Sequence, residues 1–314
     1  MKWLLLGMLL LLTTGCQSEH SLHIDNDIQG NTLLVAHTKE PALSIINPDI
    51  HELIEEVSLP FSVHSMVQGE GRIFATSQQE EMLYELSLTD GSLRPIIDIG
   101  DGVAEMLYDD GTLYATRPFH QEIVKMDVEN ESIETLAASG EHPHSMALDD
   151  GELYVANVYG NTVDVIDKER FEIARTIDVI GRPTGMIAYD EGILVGGHGP
   201  FGELNTEMHT YETSEETQIE VGLMPVAFLE TTEGIVGVSH GSHEVFLYDT
   251  ESKQVTDRLE VAHNPYYLVQ ANDEVAVSSL DGDEISFIDP QTWELIQAVE
   301  VAAGPHVMLY LEES

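Results

Sequence analysis

The chain has 314 residues, and its 57 acidic residues against 12 basic ones give a formal net charge of −45 at pH 7. A chain this acidic, with no basic stripe, does not fit a nucleic-acid-binding protein or one that adheres directly to an anionic bilayer. Cys16 is the single cysteine, which excludes intramolecular disulfides.

The amino terminus has the pattern of a secretory signal. Met1-Lys2 is a short positive region, and residues 3–12 are apolar but too short to span a bilayer as a helix. The following Thr13-Thr14-Gly15-Cys16 resembles the lipobox of bacterial lipoproteins, whose cysteine is lipidated and begins the mature protein. This implies a signal peptide at 1–15, a lipidated N-terminus and linker at 16–30, and a lipid anchor on the extracytoplasmic side of the cell membrane. The alternative is an ordinary secretory signal with an incidental cysteine.

A forty-residue repeat fills most of the remaining chain. Residues 151–190 are the clearest copy, residues 111–150 match them without a gap, and residues 71–110 fit the same frame. Looser copies begin near Asn31, Gly192, Gly234 and Val275, which makes seven units. A repeat of this length is typical of a propeller or another repeat architecture.

Each unit contains four predicted strands. In the clearest copy, β-branched and aromatic residues mark strands at 153–156, 162–166, 172–179 and 184–188. Asp-Gly sequences between units predict tight hairpins. Seven such units predict an all-β, seven-bladed β-propeller with four antiparallel strands per blade.

The repeat frame also predicts how the ring closes. The chain enters at Asn31 in the second strand of a blade and leaves at 305–312 in an innermost strand. We expect these ends to pair, so that few sheet edges stay exposed and residues 31–314 form one propeller. We expect this propeller to be a monomer.

Three segments of the clearest copy resemble YVTN-type β-propeller repeats. They are LYVAN at 153–157, NTVDVID at 161–167 and GRPTG at 181–185. The resemblance implies a seven-bladed propeller, often in an extracytoplasmic setting. It implies no single activity, because members and near relatives include binding proteins, lactonases and metalloenzyme domains.

Histidines concentrate on one predicted face of the ring. In a four-stranded meander the inter-blade loops share a face, called here the upper face, with the loops after each second strand. Ten of the 14 histidines fall in these loops, namely His37, His64, His120, His142, His144, His198, His240, His243, His263 and His306. This bias predicts that chemistry or binding occurs on the upper face.

Three of these histidines share one repeat position, the residue that opens the innermost strand. We expect His64, His144 and His306 to face the channel mouth, where their imidazoles could bind a divalent transition metal or an anionic ligand. The acidic surroundings are expected to favour the imidazolium form. The alternative is that each ring only bonds a neighbouring loop. No other cofactor is indicated.

Five further upper-face residues are candidate ligand-binding residues: His37, Arg117, Asn157, His198 and His240. Arg117 could receive a carboxylate or phosphate, or else pair with nearby Asp or Glu. His198 opens an expanded loop, and His240 lies three residues from another histidine. Polar turns without ligands are the alternative for both loops.

These features favour a surface-anchored protein that binds a small ligand, a metal ion or a protein partner on its upper face. No nucleophile elbow, phosphate-binding loop or zinc-protease helix motif occurs in the sequence. The alternative is a lactonase-like hydrolase or metal-dependent enzyme that activates water at the channel mouth. Glu105 is the one clear carboxylate candidate on the predicted inner strands.

Overall fold

A computed structural model describes residues 19–26, 28–149, 151–212 and 215–313. These ranges contain strands and turns without any helix, and so without a helix able to cross a membrane. The strands form seven antiparallel sheets that follow one another around a ring. The predicted seven-bladed propeller is confirmed. Cys16 and the predicted signal peptide lie outside the described residues.

The strands are short and follow the repeat. The first fourteen are β1 (His20–Ser21), β2 (Thr32–His37), β3 (Ala42–Asn47), β4 (Glu52–Ser58), β5 (Ser65–Gly69), β6 (Arg72–Thr76), β7 (Met82–Leu86), β8 (Ser92–Asp98), β9 (Met106–Asp109), β10 (Thr112–Arg117), β11 (Glu122–Asp127), β12 (Ser132–Ala137), β13 (Pro143–Leu148) and β14 (Glu152–Asn157). The others are β15 (Thr162–Asp167), β16 (Glu172–Asp178), β17 (Pro183–Tyr189), β18 (Gly192–Gly197), β19 (Glu207–Glu212), β20 (Glu215–Glu220), β21 (Pro225–Thr231), β22 (Gly234–Ser239), β23 (Glu244–Asp249), β24 (Gln254–Glu260), β25 (Pro265–Ala271), β26 (Glu274–Ser279), β27 (Glu284–Asp289), β28 (Glu294–Glu300) and β29 (Pro305–Leu311).

The ring closes through the two ends of the chain. Blade 1 has the strand order β29-β2-β3-β4, and its register runs from Thr32 opposite Leu311 to His37 opposite Pro305. Blades 2 to 7 are the successive groups of four from β5–β8 to β25–β28. The predicted pairing of the N- and C-terminal strands is therefore confirmed.

Blade 2 carries a fifth strand. In β1, His20 pairs with Leu93 and Ser21 with Ser92 of the outer strand β8. The next residue, Leu22, donates its N–H to the Gly91 carbonyl at 2.6 Å. This strand falls in the segment assigned above to a linker, and two residues are too few to show an alternating pattern.

The hydrophobic core lies between blades. Strand β2 is buried along its length, whereas the outer strand β12 is almost wholly exposed, because neighbouring blades cover the middle of each sheet. Val236 and Val238 of blade 6, for example, belong to one cluster with Val275 and Val277 of blade 7. Each fully buried side chain of this size contributes roughly 1.5–3 kcal/mol. The packed blades thereby fix the innermost strands around the channel.

Tight hairpins join the first and second strands of the blades on the face of the ring opposite the upper face, called here the lower face. Asp110 and Gly111, between β9 and β10, have φ values of 41° and 82°. A left-handed conformation at both central residues is what a type I′ hairpin requires, and glycine adopts it without steric cost. The Asp-Gly prediction is confirmed at this turn.

Candidate ligand site at the channel mouth

A cavity of about 430 Å³ lies at the upper end of the central channel, where the innermost strands of all seven blades meet. Its outer layer is the residue that opens the innermost strand of each blade: His64, Ala104, His144, Thr184, Val226, Tyr266 and His306. Its inner layer is the next residue of each: Ser65, Glu105, Ser145, Gly185, Ala227, Tyr267 and Val307. The repeat frame thus placed the first layer correctly at the mouth.

In five of the seven blades a break in the strand ladder turns the outer-layer residue towards the cavity. Five inter-blade loops have a left-handed residue just before a proline: His142, Arg182, Met224, Asn264 and Gly304. In blade 4, Pro143 pairs with Asn157 and the next pair is Met146 with Val155, so His144 and Ser145 are left out of the ladder. Such a bulge re-aims a side chain, here into the channel.

The three predicted histidines converge on this cavity. The rings of His64 and His306, on neighbouring blades, lie 6.3 Å apart, and His144 stands two blades beyond His64. Among the described residues, the buried Nδ1 atoms of all three have no hydrogen-bond partner. Burial lowers the pKa of His144 to about 4 and that of His306 to about 3, and it also lowers the pKa of His64. All three imidazoles are therefore neutral at pH 7.

The expectation that the acidic surroundings would favour imidazolium is wrong. Desolvation in the cavity is the largest influence on all three rings, and no carboxylate contributes a resolved shift to any of them. The many surface carboxylates act through water and are screened by salt beyond about 10 Å. Local burial outweighs the net charge.

The predicted metal site stays a prediction. Within the part of the chain that the structure describes, no group of three or more His, Cys, Asp or Glu side chains is placed to hold a metal ion. The imidazoles of His64 and His306 would have to approach each other to share one ion, because zinc–nitrogen bonds are only about 2.0–2.1 Å long.

Among the residues that the structure describes, Glu105 supplies the one carboxyl group of the cavity wall. Its Oε2 accepts the N–H of Met146 from the next blade at 2.6 Å, as Ser65 Oγ accepts the N–H of Met106 at 2.9 Å one blade earlier. Burial raises the pKa of Glu105 to about 8, so the group is mainly a neutral acid at pH 7 and can donate a hydrogen bond. The side chain thus links two blades and also borders the cavity.

The described walls of the cavity combine apolar and aromatic side chains with polar groups that are mainly uncharged at pH 7. The ring of Tyr266 lies 5.1 Å from that of His306, and Tyr267 lies 6.4 Å from it. Burial raises the pKa of both phenols, and Glu105 raises them further. Tyr267 was not among the predicted site residues, because only the carboxylate Glu105 was singled out from the sequence among the inner-layer positions. Reading one residue further along each aligned strand identifies Tyr267.

His198 and His240 lie on the rim, outside the lining of the cavity. His198 Nδ1 is 3.3 Å from the Thr184 hydroxyl, and burial lowers the pKa of His198 to about 4. The rings of His198 and His240 are 5.4 Å apart, and His240 is 6.0 Å from Tyr266. A continuous series of ring contacts therefore leads from this rim to the cavity histidines.

His37 and Asn157 are fully buried at the ends of second strands. His37 Nε2 is 2.8 Å from the Ser44 hydroxyl, and burial lowers the pKa of this histidine to about 4. Asn157 Nδ2 donates to the Thr162 hydroxyl at 3.2 Å. Neither side chain lines the cavity. Their ligand-binding role stays a prediction, and their contacts are those of residues that hold the upper turns.

Arg117 is paired within the protein. Its Nη1 donates to Glu122 Oε2 at 2.7 Å, and its Nη2 lies 3.6 Å from Asp101 Oδ1. The side chain is only 15% exposed. These contacts match the alternative reading of Arg117, in which nearby carboxylates occupy the guanidinium.

Solved structures share the fold at low sequence identity. AztD from Citrobacter koseri has a TM-score of 0.62 at 11% identity, covering 91% of this chain and 99% of that chain. Virginiamycin B lyase from Staphylococcus aureus has a TM-score of 0.65 at 12% identity, covering 80% and 92%. Kuenenia stuttgartiensis hydrazine synthase has a TM-score of 0.65 at 11% identity, covering 84% and 90%. Such identities show the seven-bladed fold alone.

Neither a protein-family model nor a curated protein sequence matches this chain. The fold implied by the resemblance to YVTN-type repeats is confirmed, whereas membership of that family stays a prediction.

Proposed function

We propose that the protein is a lipid-anchored, extracytoplasmic binding protein that holds a small ligand at its channel mouth. The observation that carries this proposal is the convergence of His64, His144 and His306 on one cavity, with buried Nδ1 atoms that no described residue bonds. Buried polar atoms nearly always have a partner in folded proteins. Three such nitrogens around one space support a ligand as that partner.

The cavity favours a small organic molecule over a macromolecule. Its volume of about 430 Å³ falls in the range of small-molecule sites. The rings of Phe228 and Tyr266 supply apolar wall, while the imidazoles and the acid form of Glu105 supply donors and acceptors. A divalent transition metal and a protein partner on the upper face are the alternatives that the experiment must separate.

Calorimetric titration of the mature protein with Zn²⁺, Cu²⁺ and a panel of small polar and aromatic compounds tests the proposal. We expect replacement of His64, His144 and His306 by Ala to abolish binding and to leave the melting temperature nearly unchanged. The three rings border the cavity, and their removal changes no residue of the described hydrophobic clusters between blades.

Three other upper-face histidines provide the matched control. Replacement of His120, His243 and His263 by Ala removes the same number of imidazoles, none of which lines the cavity. This control is expected to bind like the wild type. Equal affinity in the wild type and the cavity variant, or no binding by either, would contradict the proposal.

A second candidate is a hydrolase that acts on a small substrate such as a lactone. Glu105, with its pKa of about 8, is a suitable general acid near neutral pH, and the neutral cavity imidazoles are suitable bases. Turnover of a lactone panel by the wild type, lost in Glu105→Gln, would favour this candidate. Binding without turnover would favour the binding protein.

A further inference from the structure

Exposed aromatic rings line one side of the channel mouth. Phe119, Tyr159 and Phe201, on upper loops of blades 3, 4 and 5, are 77%, 52% and 78% exposed. His142 lies between the first two, 5.6 Å from Phe119 and 4.7 Å from Tyr159, and Tyr159 is 6.3 Å from Phe201. These four residues are called the aromatic arc. The ring of His142 is also 6.3 Å from that of His144, which joins the arc to the cavity.

Arg182 stands at the end of this arc. Its guanidinium carbon lies 4.7 Å from the centre of the Phe201 ring. Its Nε is buried and bonds no described residue. It is close enough to His198 to lower the pKa of that imidazole, and His198 contacts Thr184 of the cavity wall. Arg182 is therefore linked to the cavity through His198 and Thr184, in addition to the link from the aromatic arc through His142 and His144.

Arg182 has no carboxylate partner among the described residues. Nine other basic side chains do form ion pairs with Asp or Glu, namely Lys39, Arg72, Arg94, Arg117, Lys168, Arg170, Arg175, Lys253 and Arg258. Lys125 also has no ion pair, but its Nζ donates to the Lys168 carbonyl at 3.1 Å, so Arg182 is the one described arginine without an ion-pair partner. Its guanidinium can offer a bidentate fork to an external acid group.

We propose that the aromatic arc and Arg182 form a subsite for an organic carboxylate with a flat apolar body, so that the ligand of the channel mouth is an aromatic acid. The inference rests on the function proposed above and names its ligand class. The carboxylate pairs with Arg182 while the flat body lies on Phe201 and Tyr159, since aromatic rings prefer offset or edge-to-face contacts with one another. The acidic surface repels a singly charged carboxylate less than a doubly charged phosphate.

Binding of 2-naphthoate and of its uncharged analogue 2-naphthamide tests the subsite. We expect the wild type to bind the acid at least tenfold more tightly than the amide. Arg182→Gln is expected to lose at least tenfold in affinity for the acid and to leave the amide unchanged. Phe201→Ala is expected to weaken both probes, and because Phe201 is 78% exposed, the fold is expected to tolerate the change.

Arg170→Gln is the matched control. Arg170 lies in the β15–β16 turn on the lower face, and its side chain is 75% exposed. The substitution removes the same charge from the chain, and we expect no change in the affinity for either probe. The melting temperatures of all variants separate a folding defect from a binding defect. Arg182→Lys, which keeps the positive charge, is measured in the same way.

The possible outcomes distinguish the subsite from the proposed function. Equal binding of acid and amide by the wild type, binding of neither, or full acid affinity in a folded Arg182→Gln would overturn the subsite. If the cavity triple variant loses the probes while Arg182→Gln keeps them, the channel-mouth function holds and the subsite is wrong. If Arg182→Gln loses the acid and the triple variant keeps it, the subsite holds and the cavity is not the ligand's site.

Discussion

One position in each repeat determines the chemistry of the channel mouth. The seven residues there are His, Ala, His, Thr, Val, Tyr and His in ring order from blade 2, although their backbones occupy equivalent places. All seven border the cavity, but Val226 also belongs to the core cluster between blades 6 and 7 and Tyr266 packs against that cluster, so these two positions are less free to vary. His144 and His306 both lie at irregularities where the backbone pairing of the innermost strand with the second strand omits them, and their side chains point to the cavity.

Glu105 should make stability depend on pH. The pKa of its carboxyl group is about 8 in the folded protein and 4.5 when the group is not buried, as in the unfolded chain. Between pH 4.5 and pH 8, unfolding therefore releases a proton from Glu105. The unfolded chain then binds fewer protons, and stability falls as the pH rises from about 4.5 to 8, by at most about 1.4 kcal/mol per pH unit. Denaturant unfolding of the wild type and Glu105→Gln at a series of pH values measures this effect.

The difference between the two proteins isolates Glu105. Gln keeps an oxygen that accepts the Met146 N–H, and the cavity histidines titrate in both proteins. We expect the stability of Glu105→Gln relative to the wild type to increase steadily from pH 5 to pH 8. A difference that does not change with pH would show that the carboxyl titrates normally.

The sequence predicted which histidines face the cavity but not which groups are paired. Repeat alignment alone places His64, His144 and His306 at the mouth. By contrast, Arg117 and Arg182 are the same residue type on the same face, and only Arg117 has Glu122 and Asp101 within reach. Pairing and burial depend on neighbours from other loops and blades, which a repeat pattern does not specify.

At the scale of strands, the inter-blade loops account for the shape of the mouth. In five loops a left-handed residue precedes a proline, and a ladder irregularity follows. Each of these prolines, which can donate no N–H, is paired with the second strand of its blade, and the ladder skips the next one or two residues. The strand itself was predictable from β-branched and aromatic residues, whereas the two-residue β1 gave no periodic signal.

The closing strand β29 should be essential for the ring. Deletion of residues 305–314 removes the partner of β2 and the buried Val307 and Met308. The exposed edge of β2 would then be open to pairing with other chains. We expect the truncated protein to aggregate or to melt more than 10 °C below the full chain, since losing several buried side chains costs well over about 2 kcal/mol.

A shorter truncation controls for the loss of chain length. Deletion of residues 312–314 leaves β29 intact and removes the hydrogen bond from the Glu313 N–H to Asn31 at 2.9 Å. We expect its melting temperature to change by only a few degrees. An unchanged melting temperature in the longer deletion would rule out closure by β29.

For the whole molecule, core and charge are separated. The core is divided among clusters between blades, and the acidic residues lie mainly on turns and outer strands, where water solvates them. The first described residue, Glu19, directly precedes β1 at the outer edge of blade 2. Three residues of chain span at most about 11 Å, so a lipid on Cys16 would hold the ring's edge close to the bilayer.

The membrane anchor is tested by replacing Cys16 with Ser. Without the thiol no lipid can be attached, and we expect the protein to move from the membrane fraction to the soluble fraction. The strongly negative ring would not adhere to anionic lipids by itself, because like charges repel across the surface layer.

A high-salt wash of the wild type is the control, since it removes electrostatically bound protein and leaves a lipid-anchored one in place. Mass spectrometry should show the added acyl mass in the wild type only. Membrane retention of Cys16→Ser with an unchanged mass would contradict the lipid anchor, whereas release of the wild type itself without added acyl mass would identify an ordinary secretory signal with an incidental cysteine.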